Sequence, residues 1–249
     1  MQVKVRTFSG VVLEQEVFTL SRRGASCGSR EPRPRFQSEE ERAAHRDEIS
    51  RRRNARMINE NFCAGDFYCT FTFDDENEVH YWADARRIRD NFVRRLQYKY
   101  PDAVIYVVMG RGKNTHRIHF HAIIKGIDEA YILKQWWYGS VKEIVPLREH
   151  NTYHGVDHGQ DFTGLANYLF RHWTPEQGGH RWKMTRNARK PEREAPQAIV
   201  RVYSENHPPR APKGYKLVET QSTKYGYLYF KYVKEPPKRG RKRAENGSA

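Results

Sequence analysis

The chain has 249 residues and a formal net charge of +15, with 45 Lys and Arg against 30 Asp and Glu. That length supports one sizeable core, no apolar run approaches a membrane span, and the opening MQVKVRTFSG lacks the apolar segment of a secretion signal. Three Cys without a C-x-x-C pair argue against a disulfide framework or a four-Cys zinc site, and 13% aromatic residues argue against a disordered chain.

What remains is a soluble protein of a reducing compartment with a strongly basic surface, for which nucleic acid is the default partner. Residues Met1 to Leu20 alternate weakly between apolar and polar, as an edge strand or hairpin would. Ser21 to Phe36 reads as a loop. Ser38 to Met57 reads as a helix opened by a capping box, Ser38 with Glu41. Its apolar positions are few, so a solvated helix is expected, with Arg51 to Arg56 at an end that can touch phosphate. Segment 1–60 is thus expected to be an N-terminal arm.

The compact part is expected to begin near Gly65. Phe67 to Phe73 is a strand by its period of two. His80 to Lys99 is an amphipathic helix, with Ala85, Ile88, Phe92, Val93 and Leu96 on one face. Val104 to Met109 is apolar on both faces and hence central. Arg117 to Ile124 closes a hairpin with it across a turn containing glycine. Glu129 to Trp137 is a short helix. Val141 to Leu147 is an edge strand, because Pro146 removes a ladder donor. Thr163 to Trp173 is a helix, Gly178 to Arg193 a basic loop, and Ile199 to Ser204 a strand. Tyr215 to Gln221 and Tyr227 to Lys234 form a hairpin around Lys224 to Gly226. Segment 61–195 is the expected central domain, 196–235 a C-terminal strand region and 236–249 a disordered basic tail. Strand, helix, strand, strand, helix, strand is the split βαβ order. It predicts an α+β, ferredoxin-like antiparallel sheet with helices on one face and the other face free for a ligand.

The segment RIHFHAII carries the most chemistry. On a strand, His119 and His121 share a face, while Ile118, Phe120, Ala122 and Ile124 share the opposite one. Two imidazoles about 6–7 Å apart along a strand can tilt toward one ion, and imidazole suits Mn, Co, Ni or Zn. With 11 His in the chain, an H-x-H pattern alone is unspecific, and two half-exposed strand histidines would give the same pattern. Tyr168 falls mid-helix with Arg171 three residues later. A phenol is a poor nucleophile at neutral pH. Beside a bound metal and a guanidinium it can attack a phosphate and become a phosphotyrosine.

FYCTFTFDDE, RIHFHAII and GLANYLFRHW, in that order and spacing, resemble the three motifs of rolling-circle replication initiators of the HUH endonuclease superfamily. The likeness is to the branch of phages and mobile elements, and covers roughly Asp66 to Pro191. It implies that His119 and His121 bind a divalent metal, Mn or Mg. It implies that Tyr168 attacks single-stranded or origin DNA, keeps the 5′ phosphate and leaves a 3′ hydroxyl. Arg171 stands where the family usually has Lys, and keeps the charge without a useful titration. The family often places a ligand Glu at the end of the strand before the hairpin. That position is read here as Met109, whose thioether suits soft ions. The third ligand is therefore open between Asp74, His116, and completion by water or the DNA phosphate. The implied setting is the cytoplasm of a bacterial host.

His150, His154 and His158 are spaced by four, but the two Gly among them argue against a helix, so a polar loop near DNA is expected. His172 and His180 are read as supporting or surface groups. Arg181, Trp182, Lys183, Arg186 and Lys190, in a basic run, are expected to bind DNA through phosphate contacts and indole stacking. Lys238 to Arg243 adds a non-specific electrostatic tail. No Walker P-loop is present, so ATP is not expected to bind and strand unwinding would need a host helicase. The alternatives are a non-catalytic nucleic-acid-binding module with an RRM-like sheet, and a metal-dependent hydrolase that uses water directly.

Overall fold

In the computed structural model, residues 2–19, 38–153, 155–174, 177, 180, 182–223 and 226–235 are described. Hydrophobic alternation yields β1 (Gln2–Ser9) and β2 (Val12–Thr19), followed by α1 (Glu39–Asn61) and β3 (Phe67–Thr72). Then come α2 (Trp82–Lys99), β4 (Val104–Arg111), β5 (Ile118–Lys125), α3 (Glu129–Gln135) and β6 (Val141–Pro146). The chain continues through the short pair β7 (Thr152–Tyr153) and β8 (Val156–Asp157), α4 (Thr163–Phe170) and β9 (Lys183–Met184). It ends with β10 (Glu192–Arg193), β11 (Gln197–Ala198), β12 (Tyr215–Ser222) and β13 (Leu228–Lys234). The expected loop at Ser21 to Phe36 and the basic tail lie outside the described residues.

The central sheet has the order β6-β3-β5-β4-β9, antiparallel at every step. β6 is an edge, as Pro146 predicts. One face carries Phe71, Ile105, Val107, Met109, Phe120 and Ile124 against Phe92 and Leu96 of α2 and Ile132 of α3. The parity read for β3 and β5 therefore holds, and β4 is buried on both faces as expected.

The opposite face is not left open. Tyr68, Tyr106, Val108 and Ile123 project from it and are covered by Ala55 and Ile58 of α1 and by Ala166 and Leu169 of α4. Helices thus lie on both faces, which corrects the expectation of a one-sided arrangement. The cause is apolar area: four large side chains on that face gain about 1.5–3 kcal/mol each by leaving water. Cover stops short of the β5 residues that carry the histidines, and the functional groups gather there.

The two ends of the chain make a second sheet, β10-β1-β2-β13-β12, with β11 also on β1. β2 pairs β1 on one side and β13 on the other. Strands from the expected N-terminal arm, 1–60, and from the C-terminal strand region, 196–235, thus share one ladder. Ile199 to Ser204 is not a strand, because β10 and β11 already occupy the outer side of β1. Ile199 and Tyr203 instead pack onto the sheet, while Val200 and Val202 stay exposed.

α1 starts as its capping box predicts, with Ser38 Oγ accepting from Glu41 N–H at 3.2 Å. It runs on to Asn61, so Arg51 to Arg56 lie within it and not at its end. Arg56 pairs with Glu14 and Glu16 of β2, and Arg52 with Glu48 and Glu16. Tyr229 and Tyr227 donate to the same two β2 carboxylates at 2.6 and 2.9 Å. These cations fasten α1 to the second sheet, which corrects the expectation of a solvated helix with its basic end on phosphate.

Candidate metal centre

β5 lies between β3 and β4, with Thr70 opposite His121, Thr72 opposite His119, and Gly110 opposite His119 on the other side. His119 and His121 project from the same face, as their spacing predicts. Their Nε2 atoms lie 3.0 Å apart.

The second nitrogen of each ring is occupied. His121 Nδ1 meets the Tyr68 hydroxyl at 2.8 Å and Thr70 Oγ1 at 3.2 Å. His119 Nδ1 is 3.4 Å from the Arg117 carbonyl, which only accepts. With Nδ1–H donating, each Nε2 presents a lone pair toward the other, the tautomer a metal ligand needs.

The third group comes from the turn that follows α4. Beyond Tyr168 the helix tightens, with Arg171 N–H donating to the Tyr168 carbonyl and His172 N–H to the Leu169 carbonyl, both at 3.2 Å. That tightening ends the helix at Phe170, short of the expected Trp173, and brings His172 over the sheet. Its ring centroid is 4.3 Å from that of His121 and 5.6 Å from that of His119. Gln177 holds the segment down, donating to the His172 carbonyl at 2.7 Å and to the Met109 carbonyl at 3.3 Å. One nitrogen from each of His119, His121 and His172 falls within a span of 4.8 Å.

Gly110 makes room for this. A Cβ there would lie 2.8 Å from both His119 Nε2 and His172 Nδ1. Met109, read as standing at the ligand position, points the other way into the α2–α3 core beside Phe120. The side chain on the site face is that of the next residue, and it is absent. Neither Asp74 nor His116 joins the cluster. Asp74 caps its own loop by accepting from Asn77 N–H and Nδ2, and His116 sits exposed in the turn with φ 55°. His172, read as a supporting or surface group, is the member that sequence reasoning missed. Its signal was the spacing of four from Tyr168, which stacks two side chains on one helical flank.

Burial holds all three imidazoles below the ordinary histidine range, with the neighbouring rings adding to the effect at His121. His121 is lowered to about 3 and His172 to about 4. At neutral pH the cluster is therefore uncharged, with three nitrogen donors converging. The 3.0 Å gap between His119 and His121 matches two neighbouring ligands of a first-row ion bound at about 2.1 Å. The residues fit such a metal.

Tyr168 borders the cluster, its ring centroid 4.8 Å from His172 and 5.8 Å from His121, with 47% of its surface exposed. Tyr68, buried on β3, is held above the ordinary phenol range chiefly by burial, and the nearby Tyr168 adds to this. Tyr68 thus touches a metal-ligand ring. Arg171 forms the C-cap of α4 and is exposed.

The expected DNA-binding run does not form one surface. Trp182 packs into the α1–α4 core with its ring 6.2 Å from Phe170. Lys183 pairs with Val107 on β4, faces α2, and bonds Asp90 at 2.8 Å. Arg186 and Lys190 are exposed; Arg181 lies outside the described residues. His150 and His158 bond Asp157 and Asp161, and His154 lies outside the described residues. Among the described residues, no helix is long and apolar enough to cross a membrane. No family model matches the chain, and neither a curated protein nor a solved structure matches it.

Proposed function

We propose that the protein is a metal-dependent enzyme that nicks and joins single-stranded DNA through Tyr168, and so initiates rolling-circle replication of a phage, plasmid or integrative element. The observation that carries this is the exposed phenol of Tyr168 packed against His172 and His121 at a three-imidazole cluster. The strand order β6-β3-β5-β4, with α2 and α3 as the crossing helices, supports the ferredoxin-like reading and its kinship with HUH endonucleases.

In this chemistry the Tyr168 oxygen attacks the scissile phosphorus. A tyrosine–phosphate bond forms, the bond to the 3′ oxygen breaks, the phenol proton leaves and the departing 3′ hydroxyl gains one. Arg171 lies one turn beyond, where a guanidinium can meet the phosphate. His119, His121 and His172 would hold the cofactor. All-nitrogen donors favour Mn²⁺ over Mg²⁺, which prefers oxygen ligands. The bound ion would supply charge stabilisation to the phosphate oxygens. The proposed partners are origin DNA and a host helicase, in the cytoplasm of a bacterial host.

The test is incubation with single-stranded DNA from the element that encodes the protein, with and without Mn²⁺, followed by a denaturing gel and mass spectrometry. A DNA adduct on the Tyr168 peptide is expected, absent in Tyr168→Phe and His119→Ala. Cleavage that persists in Tyr168→Phe and releases free 5′ phosphates would favour direct hydrolysis by water.

A further inference from the structure

Edge strand β6 borders the metal face as well as the core, and an irregularity sets what it presents there. Cys69 pairs with Ile144 and Phe71 with Val141, and both β6 residues pack into the α2–α3 core. A regular strand would leave one residue between them, but β6 has two, Lys142 and Glu143. The register shifts here, between Thr70 and Phe71, as a β-bulge requires. Both charged side chains therefore leave the core, and both residues are exposed.

Glu143 pairs with Thr70, which pairs on its other side with His121. Directly opposed residues share a face, so Glu143, Thr70 and His121 form one row across three strands. That row borders the nucleophile. Glu143 and Tyr168 both act by charge on the Tyr68 hydroxyl, which itself meets His121 Nδ1 at 2.8 Å. The Glu143 carboxylate makes no hydrogen bond or ion pair among the described residues.

Nicking through Tyr168 needs an acceptor for the phenol proton, which a phenol keeps at neutral pH. The other groups around the site are poor acceptors. The free lone pairs of His119, His121 and His172 converge on the metal position. Arg171 and Lys142 only donate. Asp74 is occupied by Asn77, and Asp161 by Lys231 at 2.6 Å.

We infer that Glu143 is a catalytic residue, the general base that takes the Tyr168 proton directly or through one water as the phenol oxygen attacks. The tyrosine–phosphate bond forms and the bond to the 3′ oxygen breaks. That oxygen takes a proton from solvent, and Glu143 returns its own to solvent. This inference rests on the nicking proposal and names the acceptor which that reaction needs.

The test measures single-turnover nicking of a saturating single-stranded oligonucleotide from the encoding element, in Mn²⁺. Glu143→Gln should slow formation of the Tyr168–DNA bond about 100- to 10,000-fold, with Mn²⁺ affinity unchanged. Full-length protein carrying 3,5-difluorotyrosine at position 168 has a more acidic phenol that depends less on a base, so there the loss should shrink. In the same protein without metal or DNA, fluorine NMR follows the titration of that phenol. Glu143→Gln removes a neighbouring negative charge and should lower the midpoint. A parental nicking rate in Glu143→Gln, or an unmoved midpoint, would overturn the role of Glu143 and leave nicking standing. A parent that forms no DNA bond at Tyr168, with the midpoint still moved by Glu143→Gln, would refute nicking and uphold the pairing of carboxylate and phenol.

Discussion

The Tyr68 hydroxyl lies 2.8 Å from His121 Nδ1, so a buried phenol on β3 sets the orientation of a ring on β5. When His121 Nε2 serves as a ligand, Nδ1 carries the proton and Tyr68 accepts it. Tyr68 is therefore a positioning residue for the ligand.

Tyr68→Phe keeps the ring and removes the acceptor. Mn²⁺ affinity is expected to fall about 10–100-fold, the usual consequence of losing a partner behind a ligand histidine. Titration calorimetry with Mn²⁺ checks this, and an unchanged circular dichroism spectrum shows that the fold survives.

Gly110→Ala places a methyl 2.8 Å from His119 Nε2 and His172 Nδ1. The two rings must part, and Co²⁺ binding, followed by its visible absorption, is expected to be lost. Retained binding at parental affinity would show that His172 is not a ligand.

Asp161 is held below the ordinary carboxylate range. Burial pushes it up, but hydrogen bonds from His158, Lys231 and Thr163 and the charge of Lys231 more than offset that. A depressed folded-state value stabilises the fold above the unfolded value of about 4 and loses that contribution as pH falls toward the folded value. Urea midpoints should therefore drop below about pH 4. Asp161→Asn should reduce that drop and cost about 3–5 kcal/mol at pH 7, because Lys231 stays buried without its partner.

Arg56 is buried against Glu14 and Glu16, so Arg56→Ala should lower stability by about 3–5 kcal/mol. The salt slope of DNA binding should stay unchanged. A reduced slope would return α1 to the DNA surface.

The strand parities were legible because a pleated chain alternates faces whatever surrounds it. His119 and His121 were paired on that ground alone, and Ile118, Phe120, Ala122 and Ile124 were placed in the core. The cap at Ser38 was legible because its partner, Glu41, lies three residues away. Arg52 and Arg56 were misjudged because their partners, Glu14 and Glu16, are about forty residues away in sequence and become neighbours only in the folded chain, where α1 meets β2.

By itself, then, the sequence determined what repeats locally: the order β3, α2, β4, β5, α3, β6 of the central platform, the shared face of two imidazoles, the edge set by Pro146, and the phenol on a short helix. Tertiary structure decided which helices cover which face, that the chain ends share a sheet, and that His172 completes the cluster above Gly110. The physical reason is range. Backbone periodicity is written in neighbouring residues, whereas a ligand set depends on where a tightened helix end comes to rest on a sheet built from distant segments.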